Sequence, residues 1–302
     1  MNLDMLLLGI ADGISYAGLL FLVSLGLTLI FGVLGVLNIT HGSLYALGGY
    51  TAASLTAFAM HHALDKTPVL FLVLLLAAVV VGVLMGLLLE VVLLRYFQKK
   101  DPVIQLLVTF AAFVIFEDFQ KLVWGSSPYS AGEIVSRLGT VELFDVTYTV
   151  YQMVVIPGIA LASYLGLLFF LKKTLWGKQT VALTHHREMA TALGVDVKKV
   201  ATLVFVLGAV LGALGGALAV PVSALSPGVG AEMIVLSFTV VASAGLGQIT
   251  GALITALMIG LARSMAVYVL PELDVATPYI IMLIVLLIRP NGLFTVAQSR
   301  RI

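Results

Sequence analysis

Eight long apolar runs decide what this chain can fold into. They cover residues 14–36, 42–60, 69–94, 104–123, 150–172, 201–221, 248–270 and 277–289, with a shorter run at 232–244. About 20 apolar residues cross a hydrocarbon core roughly 30 Å thick. Backbone in that core must satisfy its own N–H and C=O groups, so each crossing is a helix. Only 10% of the 302 residues are charged and 61% are hydrophobic, whereas soluble domains carry about 25% charge. No polar stretch between the runs is long enough to fold alone. The expectation is one all-α integral domain, residues 1–302, a polytopic transmembrane helical bundle of about 8–10 membrane segments, some broken or re-entrant.

Residues Met1 to Asp12 carry Asp4 and Asp12 and no basic residue. They do not read as a cleaved signal peptide, and the first run is a permanent span. Basic residues set the orientation. With Arg95, Lys99, Lys100, the six from Lys172 to Lys199, Arg289, Arg300 and Arg301 in the cytoplasm, twelve of sixteen Lys and Arg lie inside. Lys66, Lys121, Arg137 and Arg263 are the exceptions. This puts the N-terminus outside and the C-terminus inside, provided 232–270 enters and returns as a broken or re-entrant pair. The external stretch from Gly125 to Thr147, with Glu133, Arg137, Glu142 and Asp145, reads as a solvated loop. A net charge of +1 spread over loops gives no basic patch for nucleic acid.

Two points interrupt the apolar pattern. Gly245, Gly247 and Gln248 lie in a run with Ala244 and Gly251, where each glycine would cost a continuous helix about 1 kcal/mol relative to alanine. Asn38, Thr40, His41, Gly42 and Ser43 separate the first two runs without any Lys or Arg. One interrupted segment in each half of a chain points to a transport pathway. His41 either lines that pathway with Asn38 as its partner or is a junction histidine held by backbone carbonyls. Gly42 with Tyr45 forms a close-packing face. A faint echo between Leu25–Thr51 and Leu207–Met233 falls short of a repeat.

The longest polar passage inside the membrane pattern is 172–200. A short amphipathic helix can be drawn from Thr184 as N-cap through Arg187, Glu188, Met189 and Leu193 to a stop at Gly194, with Asp196 capping the next helix. Met189 and Leu193, four apart, share one face. Such a helix either lies on the membrane surface or docks on a cytoplasmic partner.

Glu117 and Asp118 fall in the fourth run, where a carboxylate near the bilayer centre costs about 2.5 kcal/mol or more. Lys121, four and three residues later, offers neutralisation. The alternative is that the two acids face a solute route or a partner subunit. Glu90 before Arg95 fits snorkelling at the inner end of the third run. Nothing suggests catalysis. His61-His62 and His185-His186 are adjacent pairs without carboxylates at metal-ligand spacing, and Gly-x-Ser-x-Gly and Walker-type motifs are missing. With no cysteine, thiolate metal sites and thiol nucleophiles are excluded.

Several stretches together resemble the permease subunits of branched-chain amino acid ABC importers, the LivH-type family. Leu25-Gly26-Leu27-Thr28-Leu29-Ile30-Phe31-Gly32, then Asn38, His41-Gly42, Tyr45, Leu47-Gly48 and Tyr50, are similar to its first block. Pro227, Gly230, Phe238, Gly245-Leu246-Gly247 and Gly251-Ala252 resemble the second, and Arg289-Pro290-Asn291-Gly292-Leu293-Phe294 the closing motif. Gly177, Glu188, Gly194 and Val195 to Val200 match the family's cytoplasmic coupling loop, here about residues 175–200.

The resemblance implies a permease of the bacterial inner membrane that binds no cofactor. It implies a homologous second permease, two ATP-binding subunits that hydrolyse ATP with Mg, and an extracytoplasmic solute-binding protein. Ser43, Val181, His185-His186-Arg187, Ala244 and Glu117-Asp118 depart from the family pattern. They leave open whether the solute is a branched-chain amino acid or urea, an amide or an aromatic acid. An ion-coupled secondary transporter and a passive solute channel are the rivals of another class; an intramembrane enzyme lacks a nucleophile and base pair.

Overall fold

The computed structural model describes residues 3–62, 66–97, 100–143 and 146–295. Lys99, Asp145, Arg300, Arg301 and the side chain of Asp4, used above, lie outside the described residues. The chain forms α1 (Leu3–Leu34), α2 (His41–His61) and α3 (Thr67–Leu87), the last running through a π turn at Leu88–Leu94 into α4 (Arg95–Phe97). Then come α5 (Pro102–Trp124), a short α6 (Glu133–Arg137) and the hairpin of β1 (Thr140–Leu143) with β2 (Val146–Thr149). A second π turn leads into α7 (Ile156–Lys173), followed by α8 (Leu175–His185), α9 (Arg187–Ala192), α10 (Val197–Ala219), α11 (Val229–Ala244), α12 (Ile249–Val269) and α13 (Thr277–Ile288).

Among the described residues six helical stretches are long and apolar enough to cross a membrane, and α11 and α13 are shorter apolar helices. The protein is a polytopic all-α bundle. Two departures from the sequence expectation stand out. Helix α1 starts at Leu3, not residue 14, because its first turns pack on α12; a Cβ at Gly9 would stand 2.9 Å from Met265 Sδ. The stretch expected as a solvated loop holds α6 and the hairpin, and Tyr129 and Leu225 pair through their backbones beside it.

One end of the bundle carries Arg95, Lys172, Lys173, Lys198, Lys199 and Arg289; it is called the basic end, and the opposite end carries the hairpin. Helices α1 and α10 occupy the middle, and their packed faces include Leu20, Leu22, Leu25, Val204, Phe205 and Ala213, all fully buried. They run in opposite directions. Between helices in lipid there is little hydrophobic drive, so close van der Waals contact through small residues takes its place. Gly208, Gly212, Gly215 and Gly216 of α10 meet Gly26, Ile30, His41, Val23 and Tyr45 at distances that leave no space for a Cβ.

Near the basic end a polar cluster ties α3 to α10. Glu90 Oε2 accepts from Arg95 Nη2 at 3.0 Å and from the Thr202 hydroxyl at 2.7 Å, and Arg95 Nη2 lies 3.0 Å from Thr202 Oγ1. The Glu90 side chain is 1% exposed. Five residues separate Glu90 from Arg95, a spacing that an α-helix would splay apart; the π turn at Leu88–Leu94 aligns them. Snorkelling alone therefore does not describe Glu90, which is paired inside the protein. Glu90→Ala and Thr202→Val should each lower stability by about 1–3 kcal/mol, and the double variant by less than the sum because the groups share one network. Thermal unfolding of the purified protein in detergent checks both.

Candidate functional site

Helices α2 and α11 both begin inside the bundle. After α1 reaches the basic end, residues 35–40 turn back and α2 starts at His41, heading for the hairpin end. After α10 reaches the hairpin end, residues 220–228 turn back and α11 starts at Val229, heading for the basic end. The two N-termini abut: a Cβ on Gly230 would stand 2.9 Å from the Gly42 carbonyl oxygen, and a Cβ on Gly42 would collide with the Gly230 carbonyl. Each N-terminus carries about half a positive charge from the helix dipole, so their meeting point favours an anion.

The side chains around this junction are polar and buried. His41 is fully buried, with Nε2 3.0 Å from the Val23 carbonyl. A carbonyl only accepts, so Nε2 is the donor. Of the two readings the sequence offers, His41 takes the backbone carbonyl and not Asn38, whose Oδ1 accepts from the Thr40 hydroxyl. The imidazole fits because Gly26 and Gly212 lack side chains, since a Cβ on either would stand 2.9 Å from His41 Cε1. Asn38 Nδ2, His41 Nδ1 and Ser43 Oγ are buried without a hydrogen-bond partner among the described residues. Tyr45, one turn into α2, is buried beside Gly215 and Gly216.

The second break lies at the basic end. Gly245 and Gly247 adopt φ of +101° and +80°, a region that disfavours any side chain. The last carbonyls of α11 have no helical partner, and the closing motif supplies one: Leu293 N–H donates to Ser243 O at 2.9 Å and Phe294 N–H to Ala244 O at 3.1 Å. Gly247 and Gln248 line a cavity of about 510 Å³ together with Thr28, Thr180, Thr184 and His185. Thr28 and Thr180 escape sequence reading because each hydroxyl bonds a carbonyl four residues earlier in its own helix.

The passage expected to form one short helix forms two. Helix α8 is N-capped by Thr174, whose Oγ1 accepts from Gly177 N–H at 3.0 Å, and runs through Thr184. Thr184 is therefore no N-cap; its hydroxyl bonds Val181 O and it faces the Gln248 cavity. Helix α9 starts at Arg187 and ends as expected at Gly194, where Gly194 N–H bonds Thr191 O and Val195 N–H bonds Ala190 O. That pair of bonds satisfies two orphan carbonyls in a Schellman motif. Asp196 caps α10, accepting from Lys198 and Lys199 N–H at 3.1 and 3.2 Å. The Lys199 N–H, ahead of its ammonium, holds the Asp196 carboxyl below the usual range. The cap is therefore present at neutral pH and lost only as acid protonates that carboxyl. Arg187, Glu188 and Met189 line an open surface cleft, with Met189 64% and Leu193 80% exposed.

Of the acidic pair, only Asp118 meets Lys121, at 3.5 Å and largely in the open. Glu117 is not brought to Lys121; its Oε1 lies near Gly228, the residue that precedes α11. The sequence set Arg263 aside as an exception, yet it is one of a cluster with Tyr16 and Asp274 at the hairpin end.

Residues 9–286 match the family model described as branched-chain amino acid transport system / permease component. The chain is 26% identical to the high-affinity branched-chain amino acid transport system permease protein LivH of Escherichia coli (strain K12), over 94% of this chain and 92% of that one. It is 26% identical to the corresponding protein BraD of Pseudomonas aeruginosa over 96% and 95%. With the probable branched-chain amino acid transport permease protein LivH of Methanocaldococcus jannaschii it shares 28% identity over 93% and 90%. A solved structure of PsaBC from Streptococcus pneumoniae in complex with Fab aligns over 93% of this chain and 91% of that one, at a TM-score of 0.46 and 12% identity.

The contact between α2 and α11 has a direct test. Gly42→Ala forces a methyl against backbone and should cost about 1–3 kcal/mol. Gly158→Ala in α7, where a Cβ meets open space, should leave stability unchanged or raise it by a few tenths to about 1 kcal/mol. Thermal midpoints of the two variants, measured side by side, separate these outcomes.

Proposed function

The chain belongs to the branched-chain amino acid transport system permease family, and on that premise we propose that it is the membrane-spanning subunit of an ATP-driven importer for branched-chain amino acids or a related small solute. Its partners are a homologous permease, two ATP-binding subunits that hydrolyse ATP with Mg, and an extracytoplasmic solute-binding protein. The basic end faces the cytoplasm of an inner membrane, as the bias of Lys and Arg requires, with the N-terminus outside and the C-terminus inside.

The observation that carries this reading is α9. Two large apolar side chains, Met189 and Leu193, stand exposed on a short helix at the basic end, next to the charges of Arg187 and Glu188. An apolar pair with a charged border in water is the signature of a docking surface. Docking there explains how a chain without a nucleotide-binding motif is energised. The solute class comes from the relatives, whose names place them in branched-chain amino acid transport.

Solute enters at the hairpin end, passes the junction of α2 and α11, and leaves through the Gln248 cavity. At the junction Gly42 and Gly230 meet with no room between them, so passage requires the two helices to part. ATP-driven closure of the partner subunits supplies that movement as rigid-body rocking of the two permeases. The unpartnered Asn38, His41 and Ser43 atoms, and the dipoles of two helix N-termini, then face the carboxylate side of the solute.

The double variant Glu188→Ala with Met189→Ala should insert normally and co-purify less with the ATPase subunits. Uptake of leucine, isoleucine and valine into proteoliposomes holding the whole complex should fall at least about tenfold, the effect of losing one interface anchor worth more than 1.4 kcal/mol. Unchanged uptake would refute docking through α9. Uptake that needs an ion gradient in place of ATP would assign the chain to secondary transport, and urea or amide uptake would redirect the solute class.

A further inference from the structure

A cavity of about 230 Å³ lies between the hairpin-end halves of α1 and α12, walled by Asp12, Tyr16, Arg263, Ser264, Tyr268 and Asp274. Arg263 is oriented tightly. Its Nε donates to Asp274 Oδ1 at 2.6 Å and its Nη2 to Asp274 Oδ2 at 3.4 Å, its Nη1 donates to the Tyr16 hydroxyl, and the guanidinium carbon sits 4.5 Å over the Tyr16 ring. A guanidinium has five N–H groups; three are used here, so two remain.

Asp12 is satisfied differently. Its Oδ2 accepts from the Tyr268 hydroxyl at 2.5 Å, a neutral donor, and no ion pair to it is formed among the described residues. Two carboxylates against one guanidinium leave the cavity wall with one uncompensated negative charge. The nearby C-terminus of α12 at Val269 adds the negative end of a helix dipole. Ser264 Oγ, in the same wall, is buried without a hydrogen-bond partner. Around one space stand a carboxylate with tyrosine partners but no ionic one among the described residues, two spare guanidinium donors and an idle hydroxyl.

Those three features match the two ends of a zwitterion. The space is many times the roughly 10–15 Å³ that one water needs, so it admits a group of several non-hydrogen atoms. We propose that this cavity is a reception site for the head group of an aliphatic α-amino acid, holding its ammonium on Asp12 and its carboxylate on the spare N–H groups of Arg263 and the Ser264 hydroxyl. The identity of the solute as an amino acid rests on the transport function proposed above; the charge pattern of the cavity stands apart from it.

The test uses the purified chain in nanodiscs and three probes of one shape: L-valine, isobutylamine, which lacks the carboxylate, and 3-methylbutanoate, which lacks the ammonium. Valine should raise the thermal midpoint, isobutylamine should do so only at higher concentration, and 3-methylbutanoate should have no effect. Asp12→Asn keeps the Tyr268 hydrogen bond and should raise the half-saturating valine concentration by at least about tenfold, the cost of a lost charged hydrogen bond, while Asp12→Glu restores part of it. Ser264→Val, which leaves every charge in place but narrows the space, should weaken valine protection even if Asp12→Asn proves too unstable to measure. Failure of all three probes to protect the unaltered chain, equal protection by 3-methylbutanoate, or an unchanged valine response in both variants would overturn the site. ATP-driven valine uptake by the complex separates the two claims: uptake that Asp12→Asn leaves intact removes the site alone, and valine protection without any uptake removes the import function alone.

Discussion

A break in a membrane helix leaves backbone groups that only protein or a water-filled cavity can satisfy, and the architecture follows from how this chain answers that demand. The end of α11 is sealed by a segment almost fifty residues further on, the N–H groups of Leu293 and Phe294 meeting the carbonyls of Ser243 and Ala244. This holds residues 291–295 against Gly245: a Cβ on Gly292 would collide with Gly245 Cα, and a Cβ on Gly245 would stand 2.7 Å from Thr295 Cγ2. The start of α2 is answered by tight backbone turns, His41 N–H bonding Asn38 O and Gly42 N–H bonding Ile39 O, each at 3.3 Å, and by Thr109 of α5, whose Oγ1 accepts from Ile39 N–H.

The two interrupted helices are related to one another. Helix α1, a turn and helix α2 make one unit; helix α10, a turn and helix α11 make a second, running the opposite way. The faint echo between Leu25–Thr51 and Leu207–Met233 spans only part of each, reaching no further into α11 than Met233. The pair brings the N-termini of α2 and α11 together inside the bundle. Gly42 and Gly230 occupy matching places in the two units, and each is glycine because the other's backbone lies against it.

The spans were legible because lipid imposes one simple requirement, apolar length, which a linear sequence displays directly. The stops at Gly194 and Gly245 and the cap at Asp196 were legible too, since each depends on a residue type with a local backbone role. What was not legible depends on residues far apart in sequence. That His41 is a junction histidine on a backbone carbonyl was one of the two readings the sequence offered; which carbonyl, that of Val23, no pattern can flag. Thr184 looked like a cap because a threonine before a polar turn often is one, but the turn of α8 continues past it. Spacing offers Lys121 to both Glu117 and Asp118, with a solute route or partner as the alternative, but α5 brings Glu117 Oε1 near Gly228 and leaves Lys121 to Asp118. Arg263 read as an exception to a rule about loops, when its meaning lies in Tyr16 and Asp274 across the bundle.

Helices α9, α10 and α2 link the exposed surface of α9 to the central junction. The Schellman bonds at Gly194 lock the end of α9, and the next residue but one, Asp196, caps α10 through the amides of Lys198 and Lys199. Only residues 193–196 separate the two helices. Along its length α10 holds Gly212 against the His41 ring and Gly216 against the Tyr45 backbone. Packed interfaces of this density yield by discrete repacking more readily than by compression. On the proposed function, a movement imposed at Met189 therefore reaches the junction of Gly42 and Gly230 as a change of helix position, and the glycines that make the contact close also make it able to transmit.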